Sequence, residues 1–170
     1  MPVRAVLLAL TACFALASAA AAAPVSLAPI QLSAELQETI TDDYGAREED
    51  VLRGMVERAV SDALTRVGGQ IVEGGPIVIE ITLVDARPNR PTLGQATHRP
   101  GLDFGRSLSI GGAELTATLR HANGASIGDV QYDYYTPIIE DAVGASTWWD
   151  AQRAIRRFAR RVAEAYARVN

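Results

Sequence analysis

The stretch 107–135 constrains this chain more than any other, because its turn signal and its apolar pattern agree. Asn123-Gly124 is a strong hairpin signal: a two-residue type I′ turn needs φ > 0 at both central positions. With those two residues in the turn, Leu119 faces Gly128, Ala117 faces Val130, Leu115 faces Tyr132 and Ala113 faces Tyr134. These pairs make one continuous apolar face. The opposite face pairs Thr118 with Asp129, Thr116 with Gln131 and Glu114 with Asp133. A slip of one residue would move every apolar side chain to the wrong face, so the pattern selects the register.

The rest of the chain must supply something to cover that apolar face. Hydrophobic residues make up 48% of it, enough for a core, and the length suits a single domain. The formal net charge of -4 argues against a general nucleic-acid binder. All 16 basic residues are Arg. Residues 1–22 read as a signal peptide: Arg4 precedes an apolar run and an alanine-rich end. The run is short for a permanent anchor, and no later stretch could span a bilayer. Leu10-Thr11-Ala12-Cys13 resembles a bacterial lipobox, with Cys13 the residue to be lipidated. The apolar continuation Phe14-Ala15-Leu16-Ala17 favours reading Cys13 as part of the signal. Either way, no thiol is left in the folded part.

Residues 23–29 are expected to be a tether and 30–170 a single domain. From Ile30 the alternation suggests a strand, while Leu32, Leu36 and Ile40 also fit a helix. An amphipathic helix is predicted over 48–67, with acids in its first turn and Gly68-Gly69 after its end. A strand is predicted over 77–84. The closing helix is predicted over 148–169, with Thr147 as N-cap and Asp150 as its capping-box partner. Arg153, Arg156, Arg157, Arg160 and Arg161 lie on this helix. They are expected to form a solvated face pairing with acids elsewhere, although a polyanion or acidic lipid would also suit them.

Residues 87–106 hold three prolines and three glycines and are predicted to lack regular structure. A long structureless loop in a compact domain is often functional. This one carries Arg87, Arg90, Arg99 and Arg106, with His98, against the single acid Asp103. Those six residues are the candidate binding set, since Arg forks suit carboxylates and phosphates. The competing reading is a connector laid over the sheet with Leu93, Leu102 and Phe104 as anchors. At least two of Arg87, Arg90, Arg99 and Arg106 are expected to lack a local partner and to leave a positive patch. Catalytic signatures are missing from the chain. His98 and His121 have no partner at metal-ligand spacing, and no nucleophile elbow, P-loop or dinucleotide fingerprint occurs. No cofactor or metal site is expected. Gly111-Gly112 is expected to mark a bulge or a close backbone approach.

The run Ser109-Ile110-Gly111-Gly112-Ala113-Glu114-Leu115 precedes Leu119, Asn123-Gly124 and the helix pattern Asp150-Ala151…Ala154-Ile155…Phe158-Ala159. Together they resemble uncharacterised exported bacterial envelope proteins and lipoproteins over about 77–168. The resemblance implies a small α/β domain like the periplasmic modules of outer-membrane assembly. It carries over no catalytic residues. The element order predicts an α+β two-layer sandwich, with one mixed sheet of about four strands packed against two helices. The function expected is a non-catalytic periplasmic or outer-membrane-associated module that binds an envelope protein or an anionic envelope component. The alternative is a small periplasmic hydrolase or ligand-binding enzyme using 87–106.

Overall fold

The computed structural model describes residues 23–169. The expected signal peptide, and Cys13 with it, lies outside the described residues. The sheet is mixed. Strands β3 (Ile77–Arg87), β4 (Gly112–His121) and β5 (Ser126–Tyr135) are antiparallel. The short strands β1 (Val25–Leu27) and β2 (Gln31–Leu32) both run parallel to β3 along its other edge. Helices α2 (Arg47–Arg66) and α4 (Trp149–Ala167) pack on each other and on one face of the sheet. This is the α+β two-layer sandwich with one mixed sheet.

The core follows the alternation of the strands. Ile77, Ile79, Ile81 and Leu83 of β3, with Ala113, Leu115, Ala117 and Leu119 of β4, are all buried. They meet Leu52, Val56, Val60 and Leu64 of α2 and Ile155, Phe158, Val162 and Tyr166 of α4. On α4 these apolar positions recur at helical spacing and make one stripe toward the sheet. No helix among the described residues is long and apolar enough to cross a membrane.

Three sequence expectations are corrected. Residues 23–29 are not a free tether: Val25 is fully buried in β1, and the Tyr166 hydroxyl donates to the Ala23 carbonyl. The ambiguous segment after Ile30 resolves mainly as helix. Only Gln31–Leu32 is strand; α1 (Ala34–Thr39) follows and runs into a π turn over Ile40–Tyr44. Ser33 decides this boundary, because its hydroxyl accepts from the Leu36 N–H and donates to the Val84 carbonyl. The hairpin pairs Leu119 with Gly128 and every predicted pair down to Ala113 with Tyr134, but its turn is not type I′. Asn123 has no positive φ; only Gly124 does. The Gly124 N–H donates to His121 O and the His121 N–H to Ala125 O, a three-residue turn closed by glycine. That turn alone would shift the register. The shift is undone at Ile127, an extra residue between Ser126 (opposite Arg120) and Gly128 (opposite Leu119).

Candidate functional site

Two connectors meet at the end of the sheet where β3 ends and β4 begins. One is 88–111, between β3 and β4; the other is 136–148, between β5 and α4. Asn89 and Asp150 lock them together, at 0% and 2% exposure. Asp150 Oδ2 accepts from Asn89 Nδ2 at 2.6 Å and from Thr136 Oγ1 at 2.7 Å. The Asp150 N–H donates back to Asn89 Oδ1 at 2.8 Å. The Asn89 backbone N–H donates to Thr147 O, and its carbonyl accepts from the Ser109 N–H. Gly111 must be glycine, since a Cβ there would overlap the Asn89 carboxamide. Gly112 meets the Tyr134 carbonyl in the same way, so the expected close approach is real. Asp150 is therefore not the capping partner of Thr147. Helix α4 begins after Trp148 with no side-chain cap, and the carboxylate has been drawn into the connectors.

Residues 87–106 are not wholly irregular. Thr92 and Gln95 form a capping box that starts a short helix, α3 (Leu93–His98). Thr92 Oγ1 donates to the Tyr44 carbonyl at 2.7 Å, and Gln95 Nε2 donates to Asp43 Oδ2 at 2.7 Å. The helix is thereby pinned to the π turn.

The six candidate binding residues are not gathered into one constellation. Arg87 pairs with Asp85 at 3.0 Å and lies over the Tyr135 ring. Arg90 donates to the carbonyls of Gly144, Phe104 and Gly105, stitching the two connectors together. Arg99 pairs with Asp43 at 2.7 Å. Arg106 alone of the four has an exposed guanidinium without a partner among the described residues. The expectation that two would be free therefore fails. It fails because Asp43, remote in sequence, and backbone carbonyls supply what the loop lacks. His98 Nδ1 lies 2.9 Å from Gly94 O, and Asp103 Oδ1 accepts from the backbone N–H groups of Gly105 and Arg106. His98 and Asp103 thus serve different local turns. Among the described residues no cluster of three His, Cys, Asp or Glu is placed to hold a metal ion.

Beside exposed charged groups such as Arg106 and Asp141, these connectors also present apolar side chains to solvent, which sequence reasoning missed as a group. Phe104, Leu108 and Ile110 on the first connector are exposed, as are Ile138, Ile139 and Val143 on the second. Phe104 and Val143 are 52% and 54% exposed. Leu108 reaches the Gly144 backbone, which joins the two sets. Their signal in the sequence was apolar residues out of phase with any strand or helix.

Beneath this end lie two perturbed tyrosines. Tyr44 is buried and meets Trp148 edge to face at 5.5 Å. Burial, then the charges of Asp85 and Asp43, push its phenol up to about 12. Burial also raises Tyr135, whose hydroxyl donates to Asp85 Oδ2 at 2.7 Å. A phenol raised in the folded state stabilises the fold fully below its unfolded value of about 10, and that stability is lost as pH rises past it. Thermal melts from pH 9 to 12 should show stability falling above about pH 10, less steeply in Tyr44→Phe. Simultaneous ionisation of all five tyrosines near their free value, read by ultraviolet absorbance, would contradict this.

No protein-family model matches the chain, and no curated protein sequence does either. Solved structures do share its fold. A point variant of PelC from Paraburkholderia phytofirmans, a dodecamer, superposes with a TM-score of 0.51 at 12% identity, covering 86% of this chain and 90% of that one. The hypothetical protein CT253 from Chlamydia trachomatis gives 0.50 at 11% identity, covering 87% and 99%. A minor lipoprotein from Acinetobacter baumannii gives 0.41 at 13%, covering 87% and 94%. At such identities the likeness of the first two establishes the fold alone, an α+β sandwich also built by other bacterial proteins.

Proposed function

We propose that this protein is a non-catalytic module of the bacterial cell envelope that binds another envelope protein through the connector end. The observation that carries this is the exposed apolar group Phe104, Leu108, Ile110, Ile138, Ile139 and Val143, held on two connectors fixed by Asn89 and Asp150. Exposed apolar side chains carried on two joined connectors suit a protein contact. A buried polar tie beneath it presents that surface already ordered, which lowers the entropic cost of binding. Arg106 adds one free cation to the rim. The N-terminal pattern of Arg4, apolar run and alanines supports export, and the resemblance to envelope proteins agrees with it. PelC, which shares the fold, is itself a dodecamer, so this scaffold sustains protein–protein contact in that instance.

The test is in vivo photocrosslinking from position 104 or 143 in the native host. A discrete crosslinked partner is expected, and Ile138→Ser with Ile139→Ser, introduced beside the crosslinking position, should abolish it while the melting temperature stays within about 2 °C. Crosslinks that survive the double substitution, or none from either position, would overturn the reading.

A further inference from the structure

The five Arg of α4 do not pair with acids. Among the described residues, none of Arg153, Arg156, Arg157, Arg160 and Arg161 forms an ion pair. Three of them instead lie on tyrosines of the sheet edge. Arg153 and Arg157 sit 5.1 and 5.0 Å from the centre of the Tyr134 ring, and Arg161 sits 4.4 Å from that of Tyr132. Arg157 Nη1 also donates to the Tyr132 hydroxyl and Arg153 Nη1 to that of Tyr134. Stacking on the ring faces holds the guanidiniums in place but leaves two like charges over one ring with no counter-charge.

Beside this row runs an open strand. β5 is ten residues long and, among the described residues, ends the sheet and pairs only with β4. The Thr136 N–H bonds back to Gly111 O. Antiparallel alternation then turns the backbone groups of Asp129, Gln131, Asp133 and Tyr135 outward, away from β4. Val130, Tyr132 and Tyr134 point to the α4 side. The tyrosine numbers fall from 134 to 132 as the arginine numbers rise, so α4 runs antiparallel to β5. Arg153, Arg157 and Arg161 are spaced four residues apart, a rise of about 6 Å per step. Alternate residues of a strand are about 6.7 Å apart. The two repeats match over this length.

We propose that the β5 edge and the Arg153, Arg157 and Arg161 row form a docking site for an extended segment of a partner protein, acidic at every second position. The segment would add to the sheet as a further strand. Its outward bonds would go to β5, and its alternate carboxylates would reach successive guanidiniums. Its other side chains would lie over the open face beside Asp129 and Asp133, where more acid would be repelled, so the alternation also sets the register. A second copy docking by its own β5 would bring two Arg rows together, which disfavours it. The site uses none of the connector residues and stands apart from the function proposed for them.

The probe is a fluorescent ten-residue peptide alternating Glu and Thr, titrated into the purified protein at low salt. Two controls share its composition: one with Glu and Thr in separate blocks, one with alternate backbone nitrogens methylated. The alternating peptide should bind about tenfold more tightly than either control and should slow amide exchange in 129–135. Arg157→Gln with Arg161→Gln should lose about the same factor, and Arg157→Lys with Arg161→Lys should lose less. Equal binding of all three peptides would reduce the row to a general anion surface and overturn the proposal. So would binding of phosphatidylglycerol vesicles with no measurable binding of the alternating peptide.

Discussion

Asp150→Ala is expected to destabilise the protein by about 3 kcal/mol, since it strands buried partners and removes charge-assisted hydrogen bonds. The carboxylate accepts from both Asn89 and Thr136, which are 0% and 3% exposed. Neither donor has water to fall back on once the acceptor is gone. For a domain of this size that loss corresponds to a fall in melting temperature of about 6–12 °C. Asp150→Asn should cost less, about 1–2 kcal/mol, because one oxygen acceptor survives and the Thr136 hydroxyl can reverse its role. Thr147→Ala is the informative control. Were Thr147 the helix cap, it would cost about 1 kcal/mol; with no side-chain cap at α4 its effect should be close to zero. Urea unfolding of the three variants measures this. A change below about 1 kcal/mol in Asp150→Ala, or a larger effect at Thr147, would show that the carboxylate serves the helix and not the connectors.

That contrast explains what the sequence could reveal and what it could not. Thr147 and Asp150 have the spacing of a capping box, a local pattern. The partner that claims Asp150 is Asn89, 61 residues away, and no local rule points to it. The loop arginines repeat the lesson. Counting acids near them leaves Arg99 unpaired, yet the chain brings Asp43 to it through the π turn. A capping box at Thr92 and Gln95 was readable, but the density of Pro and Gly around it outweighed the motif. The layers and the pairing within the hairpin were legible because the apolar side chains of β3 and β4 recur every two residues. The turn was misread even so: His121, Ala122 and Asn123 keep negative φ, and the bulge at Ile127 restored the register that the apolar face demands. Face selection, distributed over many residues, outweighed the chemistry of one turn.

Leu115 tests that conclusion directly. It is fully buried at the centre of the sheet, between Leu83 on β3 and Tyr132 on β5, on the face covered by the helices. Thr116, the next residue, is half-buried on the opposite face between Thr82 and Gln131. Leu115→Ala removes three heavy atoms from the middle of β4, with fixed strands on both sides and α4 above, so the gap can close only in part. The expected loss is about 2–5 kcal/mol. Thr116→Ala gives up some strand propensity and solvent-side packing and should cost about 0.5 kcal/mol. Both variants keep the same turn and the same number of ladder bonds, so the difference between them isolates the face. A rigid sheet core predicts a reduced denaturation midpoint with unchanged slope for Leu115→Ala. Equal losses at the two positions would mean that the helices do not define one dry face, and the register argument built on it would fall.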